Sequence, residues 1–381
     1  MTAIAPLREP DDLFDPRHYE AGAGRAARSL PRWCYTSRAF LEREIDAIFL
    51  RHWLFVGRED EVAKPGDYRV CDTSSGPVVM LRGRDEQLRV FGNTCRHRGS
   101  ALLHGAGNCR AIVCPYHRWT YALDGSLAAA PHMDGVEGFE PADHALIPVR
   151  HEIWDGFVFV SFAAGGPDLA THLGGYPAKF ASHRLAEMVT VGRDSYEVGC
   201  NWKLLLENAL EDYHTAAVHG TSIGTQQAYP EEVAGACEIL YVPGARAVGV
   251  LPKEETAFPH IPGLSEEAAE RSYFTLVYPN TQFCFTQDCA WWLTVLPTGP
   301  DTCRLDLGYC FPRETVARPD FEANAAKYFA RWRLVAEEDL GIVEIQQRGL
   351  ASVVRRDGPL SWKEGTVASF DRWILDKVLQ G

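Results

Sequence analysis

Two short cysteine–histidine pairs constrain this chain more than any other feature of its sequence. One residue separates Cys95 from His97, two residues separate Cys114 from His117, and sixteen residues lie between the pairs. Each pair offers one thiolate and one imidazole. A strand-like apolar run precedes each pair, so we expect two loops that present four metal ligands to one site.

Two thiolates and two imidazoles form the ligand set of a Rieske [2Fe–2S] cluster, in which two Cys hold one iron and two His hold the other. A structural Cys2His2 zinc site is the alternative that these four residues leave open. The two sites differ in colour, because a zinc protein is colourless.

The pairs and their neighbours resemble the cluster loops of the Rieske non-haem iron oxygenases, large subunit. The resemblance rests on residues 93–98, Asn-Thr-Cys-Arg-His-Arg, and 114–121, Cys-Pro-Tyr-His-Arg-Trp-Thr-Tyr. That family commonly has Gly after the second His, where this chain has Arg118. Respiratory-type Rieske proteins carry a further Cys in each loop. The chain has Ser100 and Tyr116 at those places, which favours the oxygenase type.

Length and charge set the broad class of protein. A chain of 381 residues is long for one core and predicts two domains. The net charge of −13 argues against a nucleic-acid partner. The N-terminus lacks the apolar core of a signal peptide, and no apolar run is long enough to span a membrane. The eleven cysteines show no secreted framework, so we expect reduced thiols in a cytoplasmic protein.

The pattern along the chain predicts an α+β fold with three parts. Residues 1–53 form an N-terminal segment that we expect to pack on the catalytic domain. Residues 54–160 contain short strand and turn signals and predict a small all-β Rieske domain. Residues 161–381 combine helical and strand patterns and predict a helix-grip-like catalytic domain, an antiparallel sheet with helices.

A second candidate site contains His214 and His219, five residues apart in a helical segment. Five residues correspond to about 500° of helical rotation, so the two rings would point about 140° apart. They converge only if the helix ends or widens between them, and Gly220 is a suitable stop. Two His and a distant carboxylate make the facial triad of mononuclear iron(II) oxygenases. Two unrelated histidines are the alternative.

Asp339 is the candidate carboxylate, because it lies on a mostly apolar stripe of a long C-terminal helix. An ionised Asp that faces a core is unfavourable unless it is paired or bound to a metal. A pair with Arg348 or Arg355 is the alternative. Glu337 and Glu338 fall off the stripe and are expected to be solvated. The stripe consists of Tyr328, Trp332, Val335, Asp339, Ile342 and Gln346.

The resemblance extends to this second site. Residues 201–219 are similar to the family's iron-binding helix, and residues 338–350 to its C-terminal ligand segment. The resemblance therefore implies a mononuclear Fe(II) held by His214, His219 and Asp339.

Two acids before the first of these histidines have candidate catalytic roles. In the family, an acid three residues before that His connects the iron site to the Rieske centre of the next subunit. The resemblance gives this role to Glu211, and a shift of one residue would give it to Asp212. A solvated helix face is the alternative for either acid.

The resemblance implies a terminal oxygenase. Such an enzyme uses electrons from an NAD(P)H-dependent reductase, directly or through a ferredoxin, and O2 to hydroxylate or demethylate a small organic substrate. The chain has no dinucleotide-binding fingerprint, so the reductase must be a separate protein. The family's subunits form homotrimers. The alternatives are a Rieske-type electron carrier without oxygenase activity and a zinc-stabilised small-molecule binding protein.

The expected pocket wall covers residues 273–296, in which four aromatic residues are prominent. Aromatic walls suit either a flat aromatic substrate or a quaternary ammonium group held by cation–π contacts. The four residues are Phe283, Phe285, Trp291 and Trp292.

Overall fold

The computed structural model describes residues 7–19, 26–256 and 258–380. The chain divides into two compact units. One comprises residues 52–169, and the other comprises residues 170–381 together with the segment 1–51. Each unit builds its own antiparallel sheets, and the chain mixes helices and sheets as the α+β prediction requires.

The unit of residues 52–169 consists of three small antiparallel sheets. The strand orders are β1-β10-β9, β4-β3-β2-β5 and β6-β7-β8. These strands are β1 Leu54–Arg58, β2 Asp67–Cys71, β3 Val78–Arg82, β4 Leu88–Gly92, β5 Ala106–Asn108, β6 Ile112–Val113, β7 Thr120–Tyr121, β8 Leu127–Ala129, β9 Arg150–Trp154 and β10 Phe157–Ser161. The predicted strands before the two Cys-His pairs are β4 and β6, so the prediction of strand-borne loops is confirmed.

The core of this unit surrounds the two cluster-loop cysteines. Cys95 and Cys114 are buried beside Trp119 and Tyr121, each at most 4% exposed. Large aromatic side chains exclude water from this region. The same short loops therefore hold buried thiols at their base and place histidines nearer the surface.

The second unit is built on a seven-stranded antiparallel sheet in the order β11-β17-β16-β15-β14-β13-β12. Its strands are β11 Met188–Val198, β12 Tyr229–Glu231, β13 Cys237–Pro243, β14 Arg271–Val277, β15 Thr281–Phe285, β16 Ala290–Gly299 and β17 Thr302–Pro312. Alternate side chains of a strand point to opposite faces of a sheet. The sheet therefore divides its many aromatic residues between two environments.

Helices accompany this sheet and supply the rest of the site. They are α1 Arg38–Glu44, α2 Leu169–Leu173, α3 Tyr176–Phe180, α4 Trp202–Ala209, α5 Thr215–Val218, α6 Glu266–Ala269, α7 Arg313–Val316, α8 Phe321–Leu350 and α9 Gly365–Gln380. A π-helical turn, Ile45–Phe49, continues α1. Within the described residues, no helix has both the length and the apolar character needed to cross a membrane.

The buried stripe of α8 differs from the predicted one in its second half. Ile342 and Gln346 are exposed, whereas Val343, Gln347 and Leu350 are buried. One face of an α-helix recurs every 3.6 residues, so residues on that face are spaced by a mixture of three and four positions. The spacing chosen in the prediction left the buried face after Asp339. Asp339 lies at the edge of the stripe, partly exposed.

Candidate functional site

The two cysteine loops have matching backbone turns. The N–H of Cys95 donates to Ser100 O and the N–H of Gly99 donates to Cys95 O, at 2.8 and 3.0 Å. In the second loop, Cys114 N–H donates to Trp119 O at 2.8 Å, and the N–H of the residue four places after Cys114 returns to Cys114 O at 3.1 Å. Both turns thus fold back on their cysteine carbonyl, so the two loops have equivalent backbone turns around their cysteines.

The position after His117 shows why related sequences favour glycine there. Arg118 has a φ of +61°, and Gly99 occupies the equivalent place in the first loop with a φ of +73°. A left-handed conformation costs a side-chain-bearing residue roughly 1–2 kcal/mol. The departure from the family pattern therefore changes a strained turn and not a ligand.

The four candidate cluster ligands converge. The rings of His97 and His117 lie 4.7 Å apart, and Cys95 and Cys114 are buried in one core cluster. The Tyr121 hydroxyl lies 3.3 Å from Cys95 Sγ. The structure thus brings together two imidazoles toward the surface and two thiols in the core, the arrangement that a two-iron cluster with separate Cys and His ends requires.

The electrostatics of this site favour metal ligation. Burial alone would raise the pKa of Cys114, but the backbone N–H groups of Tyr116 and His117 outweigh burial and hold that pKa below its ordinary value. Burial, together with the charge of His117, lowers the pKa of His97. A thiolate and a neutral imidazole are the forms that bind iron, so the residues present fit a Rieske cluster.

The second site is built at a break in the helical segment that carries its histidines. Helix α4 ends at Ala209, and His214 then caps the start of the short helix α5 while His219 caps its end. A break precedes His214, and α5 then ends at Val218, so the helix ends between the two histidines as predicted. His214 has helical backbone angles, whereas His219 leaves the helix with a φ of −102° and a ψ of +10°. The two rings lie 5.2 Å apart with an interplanar angle of 74°.

The two imidazoles point their Nε2 atoms at one carboxylate. Asp339 Oδ1 lies 3.1 Å from His219 Nε2 and 3.6 Å from His214 Nε2. The potential ligand atoms of the three residues all lie within 4.8 Å of one another. Two imidazole nitrogens and a carboxylate oxygen at this spacing can hold one metal ion and leave further coordination positions open.

Each imidazole is oriented by a second carboxylate. His214 Nδ1 lies 2.7 Å from Glu211 Oε1, and His219 Nδ1 lies 2.7 Å from Glu338 Oε2. A Nδ1–H that donates to a carboxylate leaves Nε2 with its lone pair free for a metal. Burial would lower the pKa of His219, but Asp339 and Glu338 outweigh it and raise that pKa. Glu338 is therefore part of the site, and its prediction as a solvated residue was wrong.

Asp339 has a neutral partner that sequence reasoning missed. Asn208 Nδ2 donates to Asp339 Oδ1 at 2.9 Å from the last turn of α4. Within the described residues, neither Arg348 nor Arg355 pairs with this carboxylate, and Arg355 instead bonds Asp357. Asn208 follows Glu207 in this turn, and no local signal marks it as the partner of Asp339.

The two acids before His214 have different partners. Glu211 accepts from the backbone N–H groups of Tyr213 and His214 as well as from the His214 ring. Asp212 is buried and accepts from Lys363 Nζ and the Ala228 N–H, both at 2.8 Å. The geometry therefore ties Glu211 to the imidazole and holds Asp212 in a separate ion pair.

A cavity of about 130 Å³ adjoins the three converging residues. Helix α8 and residues of five strands, β13 to β17, line much of it. Trp291 faces the cavity as predicted, but the predicted neighbours Phe283, Phe285 and Trp292 do not line it. Side-chain alternation explains the correction, because these three belong to the opposite face of the sheet. The strand residues that line the cavity are Leu240, Val242, Phe274, Gln282, Cys284, Trp291, Leu293 and Leu307.

One cation also lines this cavity. Arg331 lies on α8 one residue before Trp332, and both side chains reach the cavity wall. Sequence reasoning missed this arginine, although its position three residues after the buried Tyr328 places it on the apolar stripe. The cavity thus combines an acidic, histidine-bearing end with a buried guanidinium.

The fold and the two sites define a class of protein with a Rieske-type unit and a mononuclear metal centre of two histidines and one carboxylate. Residues 52–140 match the Rieske [2Fe–2S] domain. Residues 185–380 match the ring hydroxylating alpha subunit (catalytic domain). The chain belongs to the ring hydroxylating alpha subunit family. The family implies a Rieske cluster and a mononuclear iron as cofactors.

The relatives include oxygenase subunits of carnitine and glycine betaine monooxygenases. The chain is 35% identical over 196 residues to the carnitine monooxygenase oxygenase subunit of Acinetobacter baumannii, which covers 51% of this chain and 53% of the relative. The chain thus spans about half the length of that relative. It is 29% identical to the glycine betaine monooxygenase oxygenase subunit of Chromohalobacter salexigens, over 92% of this chain and 86% of the relative.

Solved structures are similar in fold to this chain over most of its length. A quaternary ammonium Rieske monooxygenase, described in connection with carnitine oxidation by gut microbiota, superimposes with a TM-score of 0.81 at 26% identity over 98% of this chain and 100% of its own. Naphthalene 1,2-dioxygenase from a Rhodococcus species has a TM-score of 0.77 at 18% identity over 92% of this chain and 94% of its own, a likeness of fold alone. The predicted fold class is confirmed.

Proposed function

We propose that this chain is the terminal oxygenase of a Rieske oxygenase system. In this proposal it uses O2 and electrons from a partner reductase to hydroxylate or demethylate a small organic substrate. The single observation that supports it most strongly is the convergence of His214, His219 and Asp339 beside an apolar cavity, in a chain that also carries a Rieske unit. An electron carrier or a zinc-stabilised binding protein would have no use for both features.

His214, His219 and Asp339 are the proposed ligands of the mononuclear iron. Bound there, the iron would supply redox chemistry and open positions for O2. The protein's own contribution is positional. Glu211 and Glu338 hold the two imidazoles with Nε2 toward the metal position, and the apolar cavity wall excludes water from the substrate.

Cys95, His97, Cys114 and His117 are the proposed ligands of the [2Fe–2S] cluster. Bound there, the cluster would supply single electrons to the mononuclear site. The His rings lie toward the surface, where a partner can approach them, while the thiols stay in the core. This arrangement agrees with electron delivery by an NAD(P)H-dependent reductase, with or without a ferredoxin.

Glu211 is the proposed link between the two kinds of site, in a homotrimer where one subunit's cluster serves its neighbour's iron. Its carboxylate already accepts from His214 Nδ1, so it can relay through that ring. Asp212 is engaged by Lys363 and is the proposed structural member of the pair. We further propose a cytoplasmic location and the three-part division at residues 1–53, 54–160 and 161–381.

A quaternary ammonium compound is the substrate class that the relatives favour. Carnitine and glycine betaine monooxygenases are similar to this chain over half and most of its length, respectively. Trp291 and Phe274 give the cavity aromatic faces that could contact a methylated ammonium group.

Metal analysis tests the proposal directly. Anaerobically purified protein should contain about three irons per chain and show a Rieske-type EPR signal after reduction. Cys95→Ala or His117→Ala should remove the cluster signal. His214→Ala or Asp339→Ala should lower the iron content by one and leave the cluster reducible. Zinc in a colourless protein would refute the oxygenase assignment.

The two acids are distinguished by a matched pair of amide variants. Glu211→Gln should retain both metals and prevent turnover. Asp212→Asn should chiefly lower thermal stability, because it weakens a buried ion pair. If Asp212→Asn instead retains stability and stops turnover, the assigned role belongs to Asp212.

A further inference from the structure

Arg331 is a buried cation with no partner in the part of the chain that the structure describes. Its side chain belongs to a residue that is only 5% exposed and lines the cavity. Its Nε is buried without a hydrogen-bond acceptor, and no described acid forms an ion pair with its guanidinium. An isolated buried charge is strongly unfavourable in a protein interior.

Other buried cations of this chain are paired. Lys203 lies 2.6 Å from Glu44, and Arg58 lies 3.0 Å from Asp60, with both cationic side chains at most 1% exposed. Among the described Lys and Arg residues that are buried, Arg331 alone lacks such an acid. The other two buried cations therefore have an acidic partner, whereas Arg331, at the wall of the cavity, has none among the described residues.

The surroundings of Arg331 do not replace the missing anion. Burial raises the pKa of Cys284 and of Cys289, so these nearby thiols are neutral. The Trp291 ring lies 5.5 Å from the guanidinium carbon, which gives a cation–π contact but no neutralisation. The charge of Asp339 favours the Arg331 cation, but Asp339 forms no ion pair with it and is engaged by Asn208 and by the imidazoles.

We propose that Arg331 anchors the carboxylate of a small organic acid that is the substrate of this enzyme. The inference rests on the proposed oxygenase function and names its substrate class. A guanidinium presents parallel N–H donors that match the two oxygens of a carboxylate. The Trp332 side chain also lines the cavity, and its indole N–H has no hydrogen-bond partner among the described residues.

The cavity geometry orients such an acid. Arg331 and Asp339 are eight residues apart on one helix, which separates their backbones by about 12 Å along its axis. Arg331 attracts the carboxylate to its own end of the cavity, apart from the end that His214, His219 and Asp339 occupy. The oxidisable carbon is then left beside His214 and His219. A volume of about 130 Å³ is close to that of a cavity of ~150 Å³ that binds benzene, so the acid is small.

Matched acid and amide probes test this anchoring role. Benzoate with benzamide, and glycine betaine with its primary amide, would be titrated into the iron-loaded full-length protein by calorimetry, with thermal shift as a second readout. At least one acid should bind about 30-fold more tightly than its amide, the effect expected of a buried charge pair. Arg331→Met should abolish that preference, and Arg331→Lys should retain part of it.

Arg333→Met is the control variant. This arginine lies two residues further along α8, is half exposed and pairs with Asp194 at 2.8 Å, away from the cavity wall. It should keep the acid preference of the unaltered protein. Binding of neither acid, equal binding of acid and amide, or an unchanged preference in folded Arg331→Met protein would each overturn the inference.

Iron content and the Rieske EPR signal, measured on the same samples, separate this inference from the proposed function. An acid preference in protein that lacks iron after reconstitution would retain the anchoring role and refute the oxygenase. Normal iron and a normal cluster signal without the preference would refute the anchoring role alone.

Discussion

The carboxylate of Glu338 should control how tightly the mononuclear site holds iron. It lies 2.7 Å from His219 Nδ1 and also accepts from Ser222 Oγ. Both contacts fix the imidazole in the orientation that directs Nε2 toward Asp339. Without this acceptor, the ring can rotate or change tautomer, and part of the population no longer presents a lone pair to the metal.

The expected magnitude depends on what replaces the carboxylate. Loss of such a hydrogen-bond partner typically lowers metal affinity by ~10- to 100-fold, or about 1.4–2.8 kcal/mol. Glu338→Gln can still accept from the ring through a neutral oxygen, a bond of roughly half the strength. We therefore expect a decrease of about tenfold for Glu338→Gln and about 100-fold for Glu338→Ala.

Anaerobic Fe(II) titration against a competing chelator measures the affinity, with the visible spectrum of the Rieske cluster as an internal check on folding. Glu337→Ala is the matched control, because this neighbouring glutamate is exposed and does not line the cavity. It should bind iron like the unaltered protein. An affinity of Glu338→Ala within about threefold of the control would refute the orienting role.

Three stability predictions follow from buried groups away from the metal ligands. Lys203→Met should lower the free energy of unfolding in urea by ~3–5 kcal/mol, since it leaves Glu44 buried without its cation, and adding Glu44→Leu should restore part of the loss. Burial raises the pKa of Glu207 to about 7, so the folded state holds a proton that the unfolded state, with a pKa near 4.5, releases. Stability should therefore fall as pH rises from 4.5 to 7 and Glu207→Gln should flatten this slope in thermal melts, whereas an unchanged slope would contradict the assignment. Gly308→Ala should lower the melting temperature, with a cost of at least about 2 kcal/mol, because its Cβ would lie 1.8 Å from a buried tryptophan ring, while Gly341→Ala, with open space around it, should not.

The elements that sequence reasoning located correctly are those with short-range signals. The strands before the cysteine loops, the long helix α8 and the α+β class all follow from local hydrophobic periodicity. The boundaries of the helical segment 201–219 were less predictable. Asp212, which lies in the break before His214, pairs with Lys363, a residue 151 positions away.

The role of Glu338 and the residues of the cavity wall could not be predicted from the local sequence pattern. Glu338 was expected to be solvated because its neighbour Asp339 was placed on the apolar stripe of α8. In the structure both residues are partly buried, and both carboxylates contact His219. The cavity wall was predicted as a run of aromatic residues, but strand alternation sends only every second side chain into it. Which alternate set faces inward depends on how the sheet packs.

By itself, the sequence determined the chemistry that this protein can perform, because thiolates, imidazoles and carboxylates at characteristic spacings restrict the possible metals and reactions. Only the tertiary structure decided how these groups are used. It selected the carboxylates that orient each imidazole, placed Arg331 at the cavity wall without an acid, and kept Trp291 but not Trp292 for the cavity. The physical reason is that ligand identity is a property of single side chains, whereas orientation, burial and pairing arise from contacts between residues far apart in the chain.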